Sequence, residues 1–150
     1  MHLLLWRHAE AEDGDVDLRR ELTRRGCRQA ADVAQWLRAH APVDLRILVS
    51  PAARTRQTAD ALGMEYVVVP ALAPDARPAD VLAAAGWPAA SRPVLVVGHQ
   101  PTLGRAASLV MTGVDQDWSI SRGGLWWFKR RQRGDEVDVK LKAVINPGLM

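Results

Sequence analysis

Four side chains of this sequence could together do chemistry on an anion: Arg7, His8, Arg54 and His99. A guanidinium group offers a planar fork of N–H donors that suits a phosphate or a carboxylate. An imidazole can act as a nitrogen nucleophile or carry a proton near neutral pH. Two arginines and two histidines supply more positive charge than a carboxylate needs, so the set favours a dianion such as phosphate.

Each of the four lies at, or in the first turn after, the end of a short apolar run. The runs cover residues 3–6, 45–49 and 94–97, with Arg46 as the one polar residue among them, and short apolar runs of this length are typical of strands buried on both faces. In open α/β sheets, ligands collect beyond the carboxyl ends of the strands, so all four side chains are expected at one edge. The alternative is that they are ordinary polar strand ends that meet solvent.

The helix after the second strand should help to hold an anion. Ser50 and Pro51 predict its start, with Ser50 as the N-cap and Pro51 as the first helical residue, and Gly63 predicts its end. Arg54 falls in the first turns, where a cation is unfavourable unless an anion lies between it and the helix N-terminus. We expect the neighbouring Arg56 to point to solvent.

The remaining pattern predicts a three-layer α/β/α sandwich over residues 1–150, with a mostly parallel central sheet and antiparallel strands near the C-terminus. Further strands are predicted at 66–69, 124–128 and 137–144, and further helices from Thr23 to before Pro42, at 79–85 and at 102–111. The basic run at 129–134 is predicted to be the turn of the last hairpin. A solvated tip is favoured there over a phosphate or RNA patch, because acidic residues follow at once.

Composition narrows the class of protein. The 150 residues are 48% hydrophobic and 25% charged, as is typical of one soluble domain. A net charge of +3 is too balanced to predict a nucleic-acid partner. The N-terminal apolar run is too short for a secretory signal, and no run approaches the length of a membrane helix, so we expect a cytoplasmic protein. The one cysteine, Cys27, excludes an internal disulfide and is expected to be a small core or boundary residue.

Motifs of several other site types are missing from the chain. There is no G-x-x-x-x-G-K-[ST] loop to cradle a nucleotide and no G-x-S-x-G elbow. Zinc would require more His, Cys or carboxylate ligands, and a guanidinium beside the metal would be unfavourable. We therefore expect neither a metal nor a cofactor.

Four segments, in order along the chain, resemble motifs of the histidine phosphatase superfamily, which also includes phosphoglycerate mutases and acid phosphatases. The segments are LWRHAE at 5–10, RELTRRG at 20–26, VSPAARTRQTA at 49–59 and VGHQP at 97–101. Four motifs in the expected order are specific, whereas an Arg-His pair alone is not. The small size is similar to that of the SixA-like phosphohistidine phosphatases, and VINP at 144–147 resembles the end of such members.

The resemblance implies a phosphoglycerate mutase-like fold and a role for each pocket residue. His8 would be the nucleophile that forms a transient phosphohistidine, while Arg7, Arg54 and His99 would hold the phosphoryl group. The chemistry agrees, because an imidazole of ordinary pKa near 6.5 is readily neutral and guanidinium groups offset charge on the phosphoryl oxygens. Arg20 resembles an arginine that is frequent in small members, which makes it a candidate to reach the pocket and bind substrate; a surface ion pair is the alternative.

The sequence departs from the superfamily in the proton donor for the leaving group. Many members carry a carboxylic acid after the third strand or directly after the second histidine, where this chain has Gln100. Asp75 and Asp80 lie after the third strand but in no clear motif. Glu10 is the nearest candidate acid, with neutralisation of local positive charge as the alternative. A weak or absent acid suits an imidazole leaving group better than an alkoxide, which favours phosphohistidine over a sugar phosphate.

The sequence therefore predicts a metal-independent phosphohydrolase that acts through phospho-His8, with protein phosphohistidine as the favoured substrate. One alternative is a small-molecule phosphomonoesterase or mutase of the same fold. The other is a phosphate- or phosphoprotein-binding module without turnover, in which nothing would require a nucleophile. A shallow, open pocket would favour a protein substrate and a lidded one a small ester. The expected partner is a phosphorylated protein or a small phosphate ester, and neither nucleic acid nor membrane; the oligomeric state is left open.

Overall fold

A six-stranded sheet with helices on both faces organises the chain, and the computed structural model describes all of residues 1–150. The strands are β1 (His2–Arg7), β2 (Arg46–Val49), β3 (Val67–Val68), β4 (Val94–Gly98), β5 (Leu125–Arg133) and β6 (Glu136–Ile145). Their order is β3-β2-β4-β1-β5-β6. The first four run parallel, and β5 and β6 are antiparallel. The mostly parallel α/β fold with antiparallel C-terminal strands is thus confirmed.

Four helices cover the two faces of this sheet: α1 (Arg24–His40), α2 (Ala53–Asp60), α3 (Pro78–Ala85) and α4 (Thr102–Thr112). β1 is buried on both faces, as its apolar run predicts. Leu4 and Trp6 pack with α1 and α2, whereas Leu3 and Leu5 pack with α3 and α4. None of the helices is both long and apolar enough to cross a bilayer.

The start of α1 follows the local sequence signals and lies close to the site. Thr23, where the sequence predicts the helix to start, is the N-cap, and its hydroxyl accepts a hydrogen bond from the Gly26 amide. The helix ends at His40, before Pro42, as expected. Gly26 packs so tightly on the loop after β1 that a Cβ there would lie 2.0 Å from the Glu10 carbonyl oxygen. The glycine therefore permits the close approach of α1 to that loop.

The predicted start of the second helix is wrong. α2 begins at Ala53, and Ala52 caps it without a side-chain hydrogen bond. The Ser50 hydroxyl instead lies 2.7 Å from Nε2 of His99, a residue on another strand end. The Ser50 hydroxyl, which the local pattern predicts to cap α2, therefore bonds to His99 on another strand end instead. Arg56 is exposed, as expected.

Three smaller predictions also need correction. The third strand is limited to Val67–Val68. The basic run is not a turn, because Lys129–Arg133 belong to β5 and pair with β6; the turn itself is residues 134 and 135, with φ of 59° at Gly134. Cys27 is exposed, since the buried stripe of α1 runs along another side of the helix.

Candidate active site

Three adjacent parallel strands end side by side and carry the site. Arg7 pairs with Gly98 in register, and the His8 amide donates to the Gly98 carbonyl at 3.0 Å. The Ser50 amide, after β2, donates to the Val97 carbonyl at 3.1 Å. This register brings the rings of His8 and His99 to a centroid distance of 5.3 Å. The residues expected at one edge of the sheet are therefore together there.

Arg54 extends to this edge from the first turn of α2, and Asp17, at the end of the acidic segment 10–17, binds its guanidinium group. Its side chain is 5% exposed. Nη1 donates to the Asp17 carbonyl at 2.8 Å, and Nη2 donates to Asp17 Oδ2 at 3.1 Å. Burial opposes the charged form of Asp17, but hydrogen bonds from Arg20 and Arg54 outweigh it and lower the pKa of that carboxyl. Asp17 thus fixes the orientation of the Arg54 guanidinium group.

Three buried nitrogen atoms of the site have no hydrogen-bond partner in the protein: Nε of Arg7, Nε of Arg54 and Nδ1 of His99. Arg7 is otherwise held by Nη1, which donates to the Ile120 carbonyl at 2.8 Å. Buried polar groups are nearly always paired, so unpaired donors on two permanently charged groups call for an acceptor from outside the chain. A small oxyanion bound among these side chains would supply the acceptors.

His8 has the protonation state that a nucleophile needs. Its Nδ1 lies 2.7 Å from the Ala9 carbonyl oxygen, and a carbonyl only accepts, so the ring proton is on Nδ1 and the lone pair on Nε2. Burial is the largest cause that lowers the pKa of His8 to about 4; the hydrogen bond to the Ala9 carbonyl opposes it, and the charges of Arg54 and Arg7 lower the pKa further. The ring is therefore neutral at neutral pH.

A buried hydroxyl on the neighbouring strand end orients the ring of His99. Burial, followed by the nearby His8 and Arg54, lowers the pKa of His99 to about 3, so this ring is neutral as well. Its Nε2 lies 2.7 Å from Ser50 Oγ. The same oxygen accepts a hydrogen bond from the Ala52 amide at 3.4 Å, so its own proton is free to be donated. This arrangement favours donation from Oγ to Nε2. The ring proton then lies on Nδ1, the atom that lacks a partner.

Glu10 and Arg20, the two other site residues that the sequence suggested, already have partners within the protein. Glu10 Oε2 accepts from the Thr23 hydroxyl at 2.8 Å, and Oε1 lies 3.6 Å from Arg122 Nη1. Arg20 forms the alternative ion pair, at 3.1 Å from Asp17, although its charge also helps to lower the pKa of His8. Neither side chain has a buried polar atom without a hydrogen-bond partner.

The other positions considered for an acid are structural or exposed. The Gln100 amide bridges the Trp118 carbonyl and the Gly104 amide, at 2.9 and 2.7 Å. Asp80 accepts from the Arg77 amide at 2.9 Å, at the start of α3. Asp75 is exposed. No three His, Cys, Asp or Glu side chains are grouped as ligands for a metal ion.

Comparison with known proteins assigns the family. The family model of the histidine phosphatase superfamily (branch 1) matches residues 3–76. A structure assigned as the phosphohistidine phosphatase SixA from Nakamurella multipartitia is similar to the chain, with 29% identity, a TM-score of 0.75 and coverage of 97% of this chain and 95% of that one. The chain belongs to the histidine phosphatase superfamily.

Two further structures resemble this superfamily member over nearly its whole length. A structure assigned as SixA from Agrobacterium tumefaciens has 28% identity, a TM-score of 0.78 and 97% coverage of both chains. The protein histidine phosphatase SixA in complex with tungstate shares the fold, with 24% identity, a TM-score of 0.79 and 99% coverage of both chains. Among curated proteins, none matches the chain.

Two contributors to the site were missed by sequence reasoning. One is Asp17, which orients Arg54. The other is Thr58, whose Oγ1 accepts a hydrogen bond from the Ala9 amide at 3.1 Å and donates to the Arg54 carbonyl at 2.7 Å. Thr58 thus joins the backbone beside His8 to α2. The acidic composition of the loop beside two arginines was the one available signal for Asp17.

Proposed function

We propose that the protein hydrolyses phosphohistidine in a protein substrate through a phosphohistidine intermediate on His8. The observation that carries the proposal is a neutral imidazole with its Nε2 lone pair free, beside three buried nitrogen donors without partners. A nucleophile for phosphorus and unpaired donors for the phosphoryl oxygens are the two components that phosphoryl transfer requires.

The first step would be in-line displacement at phosphorus. The phosphoryl oxygens would accept from Nε of Arg7, Nε of Arg54 and Nδ1 of His99. Nε2 of His8 would form the new P–N bond while the P–N bond of the substrate breaks. The electron pair of that bond passes to the substrate imidazole, which takes a proton from solvent and leaves as a neutral ring. The fixed charges stabilise the transferring group without reorganising.

The second step would return the enzyme to its starting state. Water attacks phosphorus, the bond to His8 Nε2 breaks, and inorganic phosphate is released. The Nδ1 hydrogen bond to the Ala9 carbonyl, 2.7 Å long, holds the ring in place through both steps. No metal or cofactor takes part in this scheme.

The nature of the substrate is argued from the leaving group and from access. Glu10 is bound to the Thr23 hydroxyl, Gln100 cannot release a proton, and Asp80 caps α3. An imidazole leaves more readily than an alkoxide, so it depends least on a strong acid. His8 also keeps partial exposure to solvent, which favours a side chain presented by a protein. Similarity to SixA structures over the whole chain supports the same choice.

The first experiment is phosphate release from a phosphohistidine-bearing protein and from an aryl phosphate. We expect His8→Ala to lower release by about 10³-fold or more, as loss of a nucleophile does. His40→Ala is the matched control, because His40 is exposed and stacks on Trp36, far along α1 from the pocket. We expect the control to match wild type, and the phosphohistidine protein to react faster than the aryl ester.

Each alternative has its own outcome in this assay. Faster turnover of small esters would identify a small-molecule phosphomonoesterase. No release from either substrate, together with phosphate binding, would identify a binding module. Release that survives in His8→Ala would show that another residue is the nucleophile.

A further inference from the structure

All three lysines of the chain lie on the last hairpin: Lys129, Lys140 and Lys142. The remaining 17 of the 20 basic residues are arginines, spread along the chain. The hairpin is also where the positive charge is concentrated, since residues 129–142 contain six basic and three acidic side chains. That excess equals the net charge of the whole protein, +3.

The strand register brings the lysines to one face. Lys129 on β5 is directly opposite Lys140 on β6, and Arg131 is opposite Asp138; opposed residues of an antiparallel pair share a face. Lys142 stands at the irregularity in β6, with Nζ 4.4 Å from the centroid of the Trp127 ring. These residues line a groove of about 220 Å³. We call Lys129, Arg131, Lys140 and Lys142 the lysine face.

This face holds more positive charge than the protein neutralises: Asp138 is the one acidic residue that lines the groove, with Oδ2 at 3.8 Å from Lys140 Nζ, against four cationic side chains. Like charges directly opposite each other destabilise a strand pair, and Lys129 and Lys140 are such a pair. Burial, followed by Lys142 and Lys129, lowers the pKa of His2. Burial, followed by Arg130 and Lys129, lowers the pKa of the N-terminal amine. Lysines on β6 could be explained as protection of an edge strand from aggregation. Lys129 and Arg131 cannot, because they lie on β5, which is not at the edge of the sheet.

The lysine face is remote from the phosphoryl site. Lys129 is opposite His2, at the start of β1, whereas Arg7 and His8 are at its end. The rise of a strand places the two about 20 Å apart. The groove therefore is not an extension of the pocket around His8.

We propose that the lysine face docks an acidic polypeptide segment that lies along the free edge of β6. Lysine side chains supply the complementary charge, and β6 adds exposed apolar side chains at Leu141 and Val144 together with unpaired backbone groups. A nucleic acid fits less well, because the nearby Trp127 ring is only 5% exposed, so bases have no stacking surface.

The test is binding of a fluorescent peptide of alternating Glu and Val residues, without phosphate, measured by anisotropy. The variant Lys129→Thr/Lys140→Thr/Lys142→Thr keeps strand-forming side chains. We expect it to bind about tenfold more weakly, since each exposed ion pair contributes roughly a factor of two. Binding by wild type should weaken as salt is raised.

The matched control removes the same charge elsewhere, at exposed positions of α1 and α2: Arg24→Gln, Arg28→Gln and Arg56→Gln. We expect less than about a twofold loss of affinity for this triple variant. An equal loss in both triple variants would reduce the effect to net charge and overturn the proposal. Tighter binding of a single-stranded oligonucleotide of equal charge would also overturn it, in favour of a nucleic-acid partner.

A readout on the wild-type protein avoids any effect of mutation on folding. Acetic anhydride reacts with amines, and the chain has only these three lysines besides its N-terminus. We expect bound peptide to slow acetylation of the lysines severalfold, as followed by mass spectrometry of proteolytic fragments. Unchanged acetylation rates at saturating peptide would refute docking at this face. Binding requires no turnover at His8, so this result is independent of the proposed function.

Discussion

Lowering the pH from about 7 to about 5 should destabilise the protein through the buried ring of His99. The folded state holds this pKa at about 3, whereas an unfolded chain restores it to about 6.5. Between these values the unfolded state binds more protons than the folded state. Stability is therefore full above about pH 6.5 and is lost as the pH falls.

The size of the effect follows from the two pKa values. At pH 5 nearly every unfolded chain carries the extra proton and almost no folded chain does, so the single site costs about 2 kcal/mol relative to pH 7. His99 is 4% exposed, so screening by solvent does not reduce this much. In urea the loss is equivalent to a shift of the unfolding midpoint by about 1 M for a chain of this size.

The assay is urea unfolding at the two pH values, followed by fluorescence of the six tryptophans. His99→Gln is the control, because a glutamine amide can still bond to Ser50 and does not titrate. His8 and His2 change stability in the same direction but are present in both proteins. We expect the variant to lose about 2 kcal/mol less than wild type between the two pH values. Equal losses would refute the burial of a neutral ring at this position.

Inorganic phosphate supplies a second measurement on the same system. A bound anion would accept from Nδ1 of His99 and place negative charge beside it, which raises the pKa of the ring. We expect saturating phosphate to stabilise wild type and to reduce its pH dependence. The stabilisation should be much smaller in His99→Gln, which lacks one donor to the anion.

Three further substitutions address the supports of the site. Ser50→Ala removes the hydroxyl 2.7 Å from His99 Nε2, and we expect kcat/KM for an aryl phosphate to fall about tenfold as the ring loses its orientation; an unchanged value would exclude that role. Thr58→Val leaves a buried amide without its acceptor, so urea unfolding should show a loss of about 1–3 kcal/mol. Gly26→Ala should lower the free energy of unfolding by about 2 kcal/mol or more, because the new Cβ would lie 2.0 Å from the Glu10 carbonyl oxygen. Alanine favours helices, so a gain in stability would show that the loop at Glu10 moves away.

Much of the fold was readable from the sequence because its signals are local. The apolar run at the start of the chain predicts a strand buried on both faces, and β1 has Leu4 and Leu5 in opposite layers. Thr23 predicts the start of α1 by a contact within one turn. The pocket residues could be listed for the same reason, since each one lies at the end of a recognisable strand or in the first turn of the helix that follows it.

The errors arose where distant segments compete for the same group. Ser50 has the sequence of an N-cap, but His99, 49 residues away, takes its hydroxyl. The basic run near the C-terminus has the composition of a turn, but pairing with β6 extends it as a strand. Local patterns describe what a segment can do alone, and the register of the sheet decides which of those options is used.

The sequence by itself determined the element types, the α/β class and the presence of two arginines and two histidines at strand ends. Only the tertiary structure decided how these side chains are held: Asp17 bonds to Arg54 across 37 residues, and Ser50 bonds to His99 across 49. It also decided that three donor nitrogens lack partners and that three lysines share one face. The physical reason is that hydrogen bonds and desolvation depend on distances in space, which the spacing of residues along a chain does not specify.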